Sequence, residues 1–308
     1  MGGAAIDKSK LSAESIFRVD GLVAVITGGG TGIGLTMAKS LSANGASKVY
    51  ILGRRLSALQ SASQSAPNLI PIQCDVTSYS SLQSAVDKIT AETGYINLLI
   101  CNAGVADPAS KNFDPTLSLK ENRERMLTPE AMEGMNRTFE TNVTGAYYTM
   151  VAFLDLLEEG NKRALRGGWG KPEREGGDVL SVQSQVIFTA SIAAYSRHAA
   201  SGPAYAGSKA AVVQLVKQAS SGLARYGLRV NAIAPGLFPS ELAQGLTGGR
   251  DPSTEGPDHP LFIPARRFGV EEEIAGAILY LASKAGAFCN GSILMFDGGR
   301  LSVMVGSY

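Results

Sequence analysis

The sequence predicts an α/β fold: a doubly wound, Rossmann-like parallel sheet of seven strands with helices on both faces, in a single domain. Three observations support this prediction. Short apolar runs alternate with amphipathic stretches of helix length, a glycine-rich turn follows the first run, and 44% of the 308 residues are hydrophobic. Continuous apolar runs are typical of strands buried on both faces, and strand–helix alternation is typical of a doubly wound sheet.

The elements follow from this alternation in chain order. The predicted strands are Leu22–Thr27, Val49–Leu52, Leu69–Cys74, Ile96–Cys101, Val186–Thr189, Leu228–Ile233 and Ile293–Phe296. The predicted helices are Ile33–Ala43, Ser80–Glu92, Thr141–Glu158, Tyr205–Arg225 and Glu271–Ala282.

Several segments fall outside this pattern. Residues 1–19 are polar and aperiodic, which predicts a loose N-terminal arm ahead of a domain spanning 20–308. Residues 105–137 form a long polar connection. Residues 158–178 contain ten charged residues and six glycines, which predicts an exposed insertion. Residues 235–264 hold six of the 13 prolines and follow a strand, where α/β folds place a substrate lid.

Composition excludes several classes of protein. The net charge of +1 shows no basic excess for nucleic acid. The cysteines, Cys74, Cys101 and Cys289, lie too far apart for a CxxC motif, and His198 and His259 are the only histidines, so no metal site is expected. No apolar run approaches the 18 or so residues of a membrane span. We therefore expect a cytoplasmic protein that binds neither membrane nor nucleic acid.

The glycine-rich turn, TGGGTGIG, predicts a dinucleotide site. Gly28 permits a tight turn, Gly32 lets a pyrophosphate approach the backbone, and Gly34 lets the following helix pack close to the sheet. The start of that helix offers N–H groups and a positive dipole end to the phosphates. The residues expected to contact the phosphates are Gly28, Thr31, Gly32, Ile33 and Gly34.

The end of the second strand favours NADP(H) over NAD(H). In sites that select NAD, this position carries an acidic residue that binds the ribose 2′-hydroxyl. Here Gly53 takes the acidic position and is followed by Arg54 and Arg55, whose guanidinium groups suit a 2′-phosphate. The alternative is that one or both arginines are only solvated.

The next two strands end in further candidate cofactor contacts. Asp75 could accept a hydrogen bond from the adenine amino group, with Val76 beneath the ring; alternatively, Asp75 caps the next helix. The fourth strand ends in Asn102, Ala103 and Gly104. The small residues let the backbone lie against the nucleotide, while Asn102 can tie neighbouring strands together.

A second group of residues predicts acid–base chemistry. Tyr205 and Lys209 are four apart and share one face of a helix. An adjacent ammonium favours the phenolate and lowers the tyrosine pKa from its usual value of about 10. Ser191 ends the fifth strand, where its hydroxyl can point to the same cleft, and Asn142 lies at the start of a long predicted helix.

Together these motifs resemble the short-chain dehydrogenase/reductase family over about residues 20–300. The matching residues are the Thr27–Gly34 loop, Asp75, Asn102-Ala103-Gly104, Asn142, Ser191, Tyr205 with Lys209, Pro235-Gly236 and Asp297-Gly298-Gly299. Many members that prefer NADP also have a basic residue inside the glycine loop. Gly30-Thr31 supplies none, so the cofactor prediction depends on Arg54 and Arg55.

The resemblance implies a role for each residue in hydride transfer. Tyr205 would donate a proton to the carbonyl oxygen, and Lys209 would hold the nicotinamide ribose. Ser191 would bind the substrate oxygen, and Asn142 would hold a water that links Lys209 to solvent. Pro235, Gly236 and Leu237 would border the nicotinamide.

A shorter likeness, in the segment APGLFPSE after Ile233, resembles rhamnolipid-type 3-oxoacyl reductases and their fungal relatives. It implies an NADPH-dependent reductase acting on a hydrophobic, oxoacyl or polyketide-like ketone. Alcohol oxidation in the reverse direction and non-redox catalysis by an isomerase or cyclase remain alternatives, and a binding protein that senses the NADP(H) state is a third. Family members commonly pair through their long helices, which implies a homodimer or homotetramer. The sequence does not specify the substrate.

Overall fold

One parallel sheet of seven strands organises the chain, in a computed structural model that describes residues 8–306. The strand order is β3-β2-β1-β4-β5-β6-β7. This confirms the predicted doubly wound sheet, and the predicted strand ends agree within two residues. The strands are β1 Val23–Thr27, β2 Lys48–Gly53, β3 Leu69–Gln73, β4 Leu98–Cys101, β5 Gln185–Thr189, β6 Arg229–Pro235 and β7 Ile293–Phe296.

Helices connect the strands and cover the sheet. The four predicted helices other than 141–158 are confirmed, with small shifts of their ends. The helices are α1 Lys8–Leu11, α2 Ala13–Phe17, α3 Gly32–Ala43, α4 Leu56–Ser63, α5 Tyr79–Glu92, α6 Leu119–Met126, α7 Pro129–Phe139, α8 Ala146–Ala152, α9 Leu154–Leu165, α10 Pro203–Leu223, α11 Gln244–Thr247 and α12 Glu271–Ala282.

The sheet separates two apolar cores because alternate residues of each strand face opposite sides. Val25 of β1 belongs to the core that also contains apolar residues of α5, α8 and α10. Its neighbour Ile26 belongs to the other core, formed with α3, α4 and α12. The inner strands are buried on both faces as predicted, but the edge strands are not: Met295 of β7 is 50% exposed.

The polar connection 105–137 contains two helices that were not predicted, α6 and the greater part of α7. Helix α6 starts with a capping box, in which the Ser118 side chain accepts from the Glu121 backbone and the Glu121 side chain accepts from the Ser118 backbone. Helix α7 starts at Pro129, and the side chain of the preceding Thr128 caps it. Both signals are readable in the sequence.

The predicted helix 141–158 is also different in the structure. Residues Glu140–Gly145 form a π-helical segment between α7 and α8, and α9 continues to Leu165. The exposed insertion is therefore shorter than the predicted 158–178 at its N-terminal side. After α9, Trp169 is partly buried against the core of α3 and α12, and Glu173 forms an ion pair with Lys284 at 3.5 Å.

The N-terminal arm and the lid have more structure than predicted. Residues 8–17 of the arm form α1 and α2, whereas 1–7 lie outside the described residues. The segment predicted as a lid, 235–264, is tied together by a largely buried ion pair of 2.7 Å between Arg250 and Glu255. Helix α4 was not predicted at all.

Candidate active site

A cleft of about 610 Å³ opens at the carboxyl ends of the strands. It lies between the neighbouring strands β1 and β4, from which the strand order continues in opposite directions across the sheet. Open α/β sheets bind ligands at this position. Every residue predicted for the site lines this cleft except Asn142 and Leu237.

The glycine loop has the shape that its sequence predicts. Gly28 adopts a φ of +67° and Gly32 a φ of +52°, backbone conformations that favour glycine. A Cβ on Gly34 would lie 2.2 Å from the carbonyl oxygen of Gly28, so only glycine lets α3 start this close to β1. Thr31 gives α3 no side-chain cap, and the first turn of α3 borders the cleft.

Asn102 joins three strands at the floor of the cleft, which confirms the predicted tie. Its side-chain Nδ2 donates to the carbonyl oxygen of Thr27 at 3.0 Å, and its Oδ1 accepts from the Thr189 hydroxyl at 3.1 Å. The Thr27 hydroxyl oxygen in turn accepts from the backbone N–H groups of Asn102 and Ala103, each at 3.0 Å. The ends of β1, β4 and β5 are thus held in one arrangement.

The adenine-side candidates lie together at the end of β2 and β3. Burial alone would raise the pKa of Asp75, but hydrogen bonds from the backbone and hydroxyl of Thr77, with the charge of Arg54, lower it. Asp75 does not cap α5, because Ser78 does. Its carboxylate remains charged and borders the cleft beside Arg54 and Val76.

Tyr205 and Ser191 both line the cleft and share a side-chain hydrogen bond, and Lys209 lies one helical turn further along α10. Burial raises the pKa of the Tyr205 phenol, and a hydrogen bond from Ser191 opposes that shift. The net direction is opposite to the predicted lowering by Lys209. The reason is burial, which is the largest contribution to the shift. The Lys209 Nζ lies 5.6 Å from the centroid of the Tyr205 ring and donates to the Thr189 carbonyl at 2.6 Å.

Lys209 is a buried ammonium group. Its side chain reaches the cleft from α10, and burial lowers its pKa to about 8. A charged group is disfavoured in a medium of low polarity, so part of the lysine population is neutral at mildly alkaline pH.

Asn142 lies behind the cleft, within the π-helical segment. Its Oδ1 accepts from the Val105 backbone N–H at 2.8 Å, and its Nδ2 donates to the Val105 carbonyl at 2.9 Å and to the Ser208 hydroxyl at 3.0 Å. The side chain therefore fixes the loop after β4 against α10. The adjacent Thr141 lines the cleft instead.

Four residues with a part in this site were not predicted for the role they have. Thr27 and Thr189 hold the strand ends, and Ser208 holds Asn142. Glu241, in the segment predicted as a lid, pairs with Arg55, and both side chains line the cleft. The two threonines end apolar runs, so the sequence could have indicated their place at the strand ends. The pairing of Arg55 with Glu241 joins residues 186 positions apart, and no sequence pattern indicates it.

The described part of the chain adds two negative findings. Between residues 8 and 306, no group of three or more His, Cys, Asp or Glu side chains is placed to hold a metal ion. No helix in that range is long and apolar enough to cross a membrane.

The comparisons with known proteins agree with this geometry. Residues 22–166 match the family model described as short chain dehydrogenase, and residues 174–300 match the one described as enoyl-(acyl carrier protein) reductase. A short-chain dehydrogenase/reductase of Stachybotrys chartarum, SAT3, is 55% identical over 88% of this chain and all of its own length. The chain belongs to the short-chain dehydrogenase/reductase family of oxidoreductases.

Two solved structures show the same fold. The gluconate 5-dehydrogenase of Burkholderia cenocepacia, in complex with NADP and tartrate, is 26% identical with a TM-score of 0.70, covering 94% of this chain and 99% of its own. The RhlG/NADP complex of Pseudomonas aeruginosa is 24% identical with a TM-score of 0.72, covering 93% and 98%, and its similarity concerns the fold alone.

Proposed function

We propose that this chain is an NADP(H)-dependent ketone reductase with Tyr205 as the proton donor. The observation that carries the proposal is the position of Tyr205, beside Ser191 and Lys209, in the same cleft as the glycine loop. A phenol, a hydroxyl donor and an ammonium at one end of a dinucleotide-sized cleft are the groups that proton transfer to a ketone oxygen requires.

The cofactor assignment is supported by the residues around the cleft. Gly28 and Gly32 shape a loop that a phosphate can approach, and a Cβ on Gly32 would lie 3.4 Å from the Ser240 Cβ of the lid. Arg54 and Arg55 line the end where the 2′-position of the adenine ribose is expected. The gluconate 5-dehydrogenase with the same fold was solved with NADP, which is consistent with this choice.

The remaining predicted cofactor contacts extend along the cleft. Asp75 and Val76 are proposed at the adenine, Asn102, Ala103 and Gly104 along the nucleotide, and Pro235 and Gly236 at the nicotinamide. Leu237 does not line the cleft, so we do not retain it as a contact.

The proposed reaction uses the residues of this chain as follows. When bound, NADPH supplies the hydride that reduces the carbonyl carbon. The Ser191 hydroxyl donates a hydrogen bond to the substrate oxygen, and Tyr205 transfers its phenolic proton to that oxygen. The nearby Lys209 ammonium stabilises the phenolate that remains. The side chain of Asn142 is bonded to Val105 and Ser208 and so positions the loop after β4 against α10, and its backbone carbonyl is the group proposed to hold the water that links Lys209 to solvent.

Burial raises the pKa of Tyr205, so the phenol is in the protonated form that donates to a ketone oxygen. Alcohol oxidation would use the same groups in reverse, with Tyr205 as the proton acceptor. The apolar residues Val105, Ala106, Phe238 and Leu242 share the cleft and fit a hydrophobic, oxoacyl or polyketide-like ketone. No contact among residues 8–306 favours an isomerase or a cyclase.

The assembly we propose is a homodimer or homotetramer, located in the cytoplasm. Helix α8 leaves the large side chains of Tyr147, Tyr148 and Val151 between 37% and 57% exposed on its outer surface. An apolar surface of this kind on a helix is typical of a subunit contact.

Isotope transfer tests the proposed function. The purified protein is incubated with a panel of hydrophobic and oxoacyl ketones and NADPH deuterated at either face of C4. One deuterium in the alcohol product, from one face only, is the expected result. Product formed without deuterium transfer from either face, or without cofactor consumption, would contradict it.

A further inference from the structure

Glu241 lies on the lid, directly across the cleft from the end of β2. Its Oε2 accepts a hydrogen bond from Arg55 Nη2 at 2.8 Å, which makes an ion pair. Both side chains line the cleft, and both remain more than 60% exposed. The pair therefore spans the mouth of the cleft at the surface.

The segment that carries Glu241 also lies against the glycine loop. Ser240 is the residue that a Cβ on Gly32 would meet, and Leu242 and Ala243 continue along the cleft wall. At this end of the cleft, the charge of Arg54 helps to lower the pKa of Asp75, whose carboxylate accepts hydrogen bonds from Thr77. Of the two arginines, Arg55 is the one that forms an ion pair with the lid.

We infer that Glu241 is a cofactor-discriminating residue, whose carboxylate competes with the 2′-phosphate of NADP(H) for Arg55. This inference rests on the proposed function. A 2′-phosphate carries more negative charge than a carboxylate and offers three acceptor oxygens, so it displaces Glu241 from Arg55. NAD(H) has only a neutral hydroxyl there, and Glu241 stays paired.

The competition has a measurable consequence for cofactor affinity. Binding of NADP(H) breaks the contact between the lid and β2 and brings the Glu241 carboxylate near the phosphate. Removing this charge should tighten NADP⁺ binding, because Arg55 becomes free and the repulsion disappears. The pair is exposed, so the gain is modest, about three- to tenfold in Kd.

Calorimetric titration of the full chain with NADP⁺ and with NAD⁺ tests the inference without a substrate. Glu241→Gln is expected to tighten NADP⁺ about three- to tenfold and to change NAD⁺ less than about twofold. Arg55→Gln is expected to weaken NADP⁺ about tenfold. Glu175→Gln, which removes an exposed charge from the insertion, serves as the matched control and should change neither Kd.

The outcomes separate this inference from the proposed function. If Arg55→Gln weakens NADP⁺ while Glu241→Gln leaves its Kd equal to that of the control, the competition is overturned and the NADP(H) assignment stands. If wild-type protein binds NAD⁺ more tightly and Arg55→Gln has no effect on NADP⁺, both are overturned. Equal tightening of NADP⁺ and NAD⁺ by Glu241→Gln would also overturn the inference, since it would show general opening of the lid.

Discussion

Lys209 donates a hydrogen bond of 2.6 Å from its Nζ to the backbone carbonyl oxygen of Thr189. Thr189 ends β5, and its hydroxyl donates to Asn102, so this one residue joins the ammonium to the floor of the cleft. The lysine is 4% exposed, and its pKa is lowered to about 8 by burial. The burial of Lys209 and its lowered pKa predict effects on both stability and activity.

Lys209→Met is expected to stabilise the protein at pH 7. In the folded chain the lysine pKa is about 8, whereas the unfolded value is near the ordinary 10.5. Between these values the unfolded chain binds more protons, so the free energy of unfolding of the wild type rises with pH. Below pH 8 the wild type bears the full cost of burying the charged lysine. Removing that charge should raise the free energy of unfolding by about 1–3 kcal/mol, once the lost hydrogen bond to Thr189 is subtracted.

Chemical denaturation at pH 7 and near pH 10 measures this difference. The advantage of the variant should shrink as the pH rises through the interval from 8 to 10.5. Lys217→Met is the matched control, because Lys217 lies on the same helix and also donates to a carbonyl, that of Gly291, but is exposed. A variant at 209 that is less stable than wild type at both pH values would contradict the prediction.

The pH dependence of ketone reduction should follow the same lysine. The ammonium is present below pH 8 and stabilises the phenolate that forms as Tyr205 donates its proton. Reductive kcat/KM, which reports the free enzyme, should be level near pH 7 and decline above about pH 8. Initial rates from pH 6 to 10 measure the profile with a ketone that does not titrate. A level profile up to pH 10 would show that Lys209 does not control the step.

Gly34→Ala is expected to weaken both the fold and cofactor binding. Its Cβ would lie 2.2 Å from the Gly28 carbonyl oxygen and 2.5 Å from Asn102 Nδ2, so the loop must shift, at a cost of about 1–3 kcal/mol. Gly276→Ala is the control, since its Cβ would have no atom within 4 Å and alanine favours the helix by up to about 1 kcal/mol. Thermal unfolding and NADP⁺ titration of both variants measure the contrast. Equal behaviour of the two would contradict the close packing of α3.

The sheet could be predicted because its inner strands are continuous apolar runs, and burial on both faces leaves that pattern in the sequence. Helix α4 could not be predicted in the same way. Its sequence, LSALQSAS, buries only Leu59 and Ala62, which are too few to show a helical periodicity of apolar residues. Helix α6 buries only Asn122, and its single readable signal is the capping box that starts at Ser118.

For the candidate site, motif spacing indicated which residues meet, but not how they interact. Tyr205 and Lys209 do lie one turn apart, yet the direction of the tyrosine pKa depends on burial and on the hydrogen bond with Ser191. The side chain of Asn142 bonds to Val105 and Ser208, contacts that the spacing does not indicate. The pairing of Arg55 with Glu241 depends on the path of the lid, which has no periodic sequence.

The central claim is that Tyr205 is the proton donor, and Tyr205→Phe tests it most directly. The variant removes one hydroxyl and keeps the ring that packs in the cleft. NADP⁺ binding, measured by titration, should stay within about twofold of wild type. The reductive kcat at pH 7 should fall about 100- to 10,000-fold, the range for loss of a general acid. Retention of more than about a tenth of the wild-type kcat, with cofactor bound normally, would contradict the assignment.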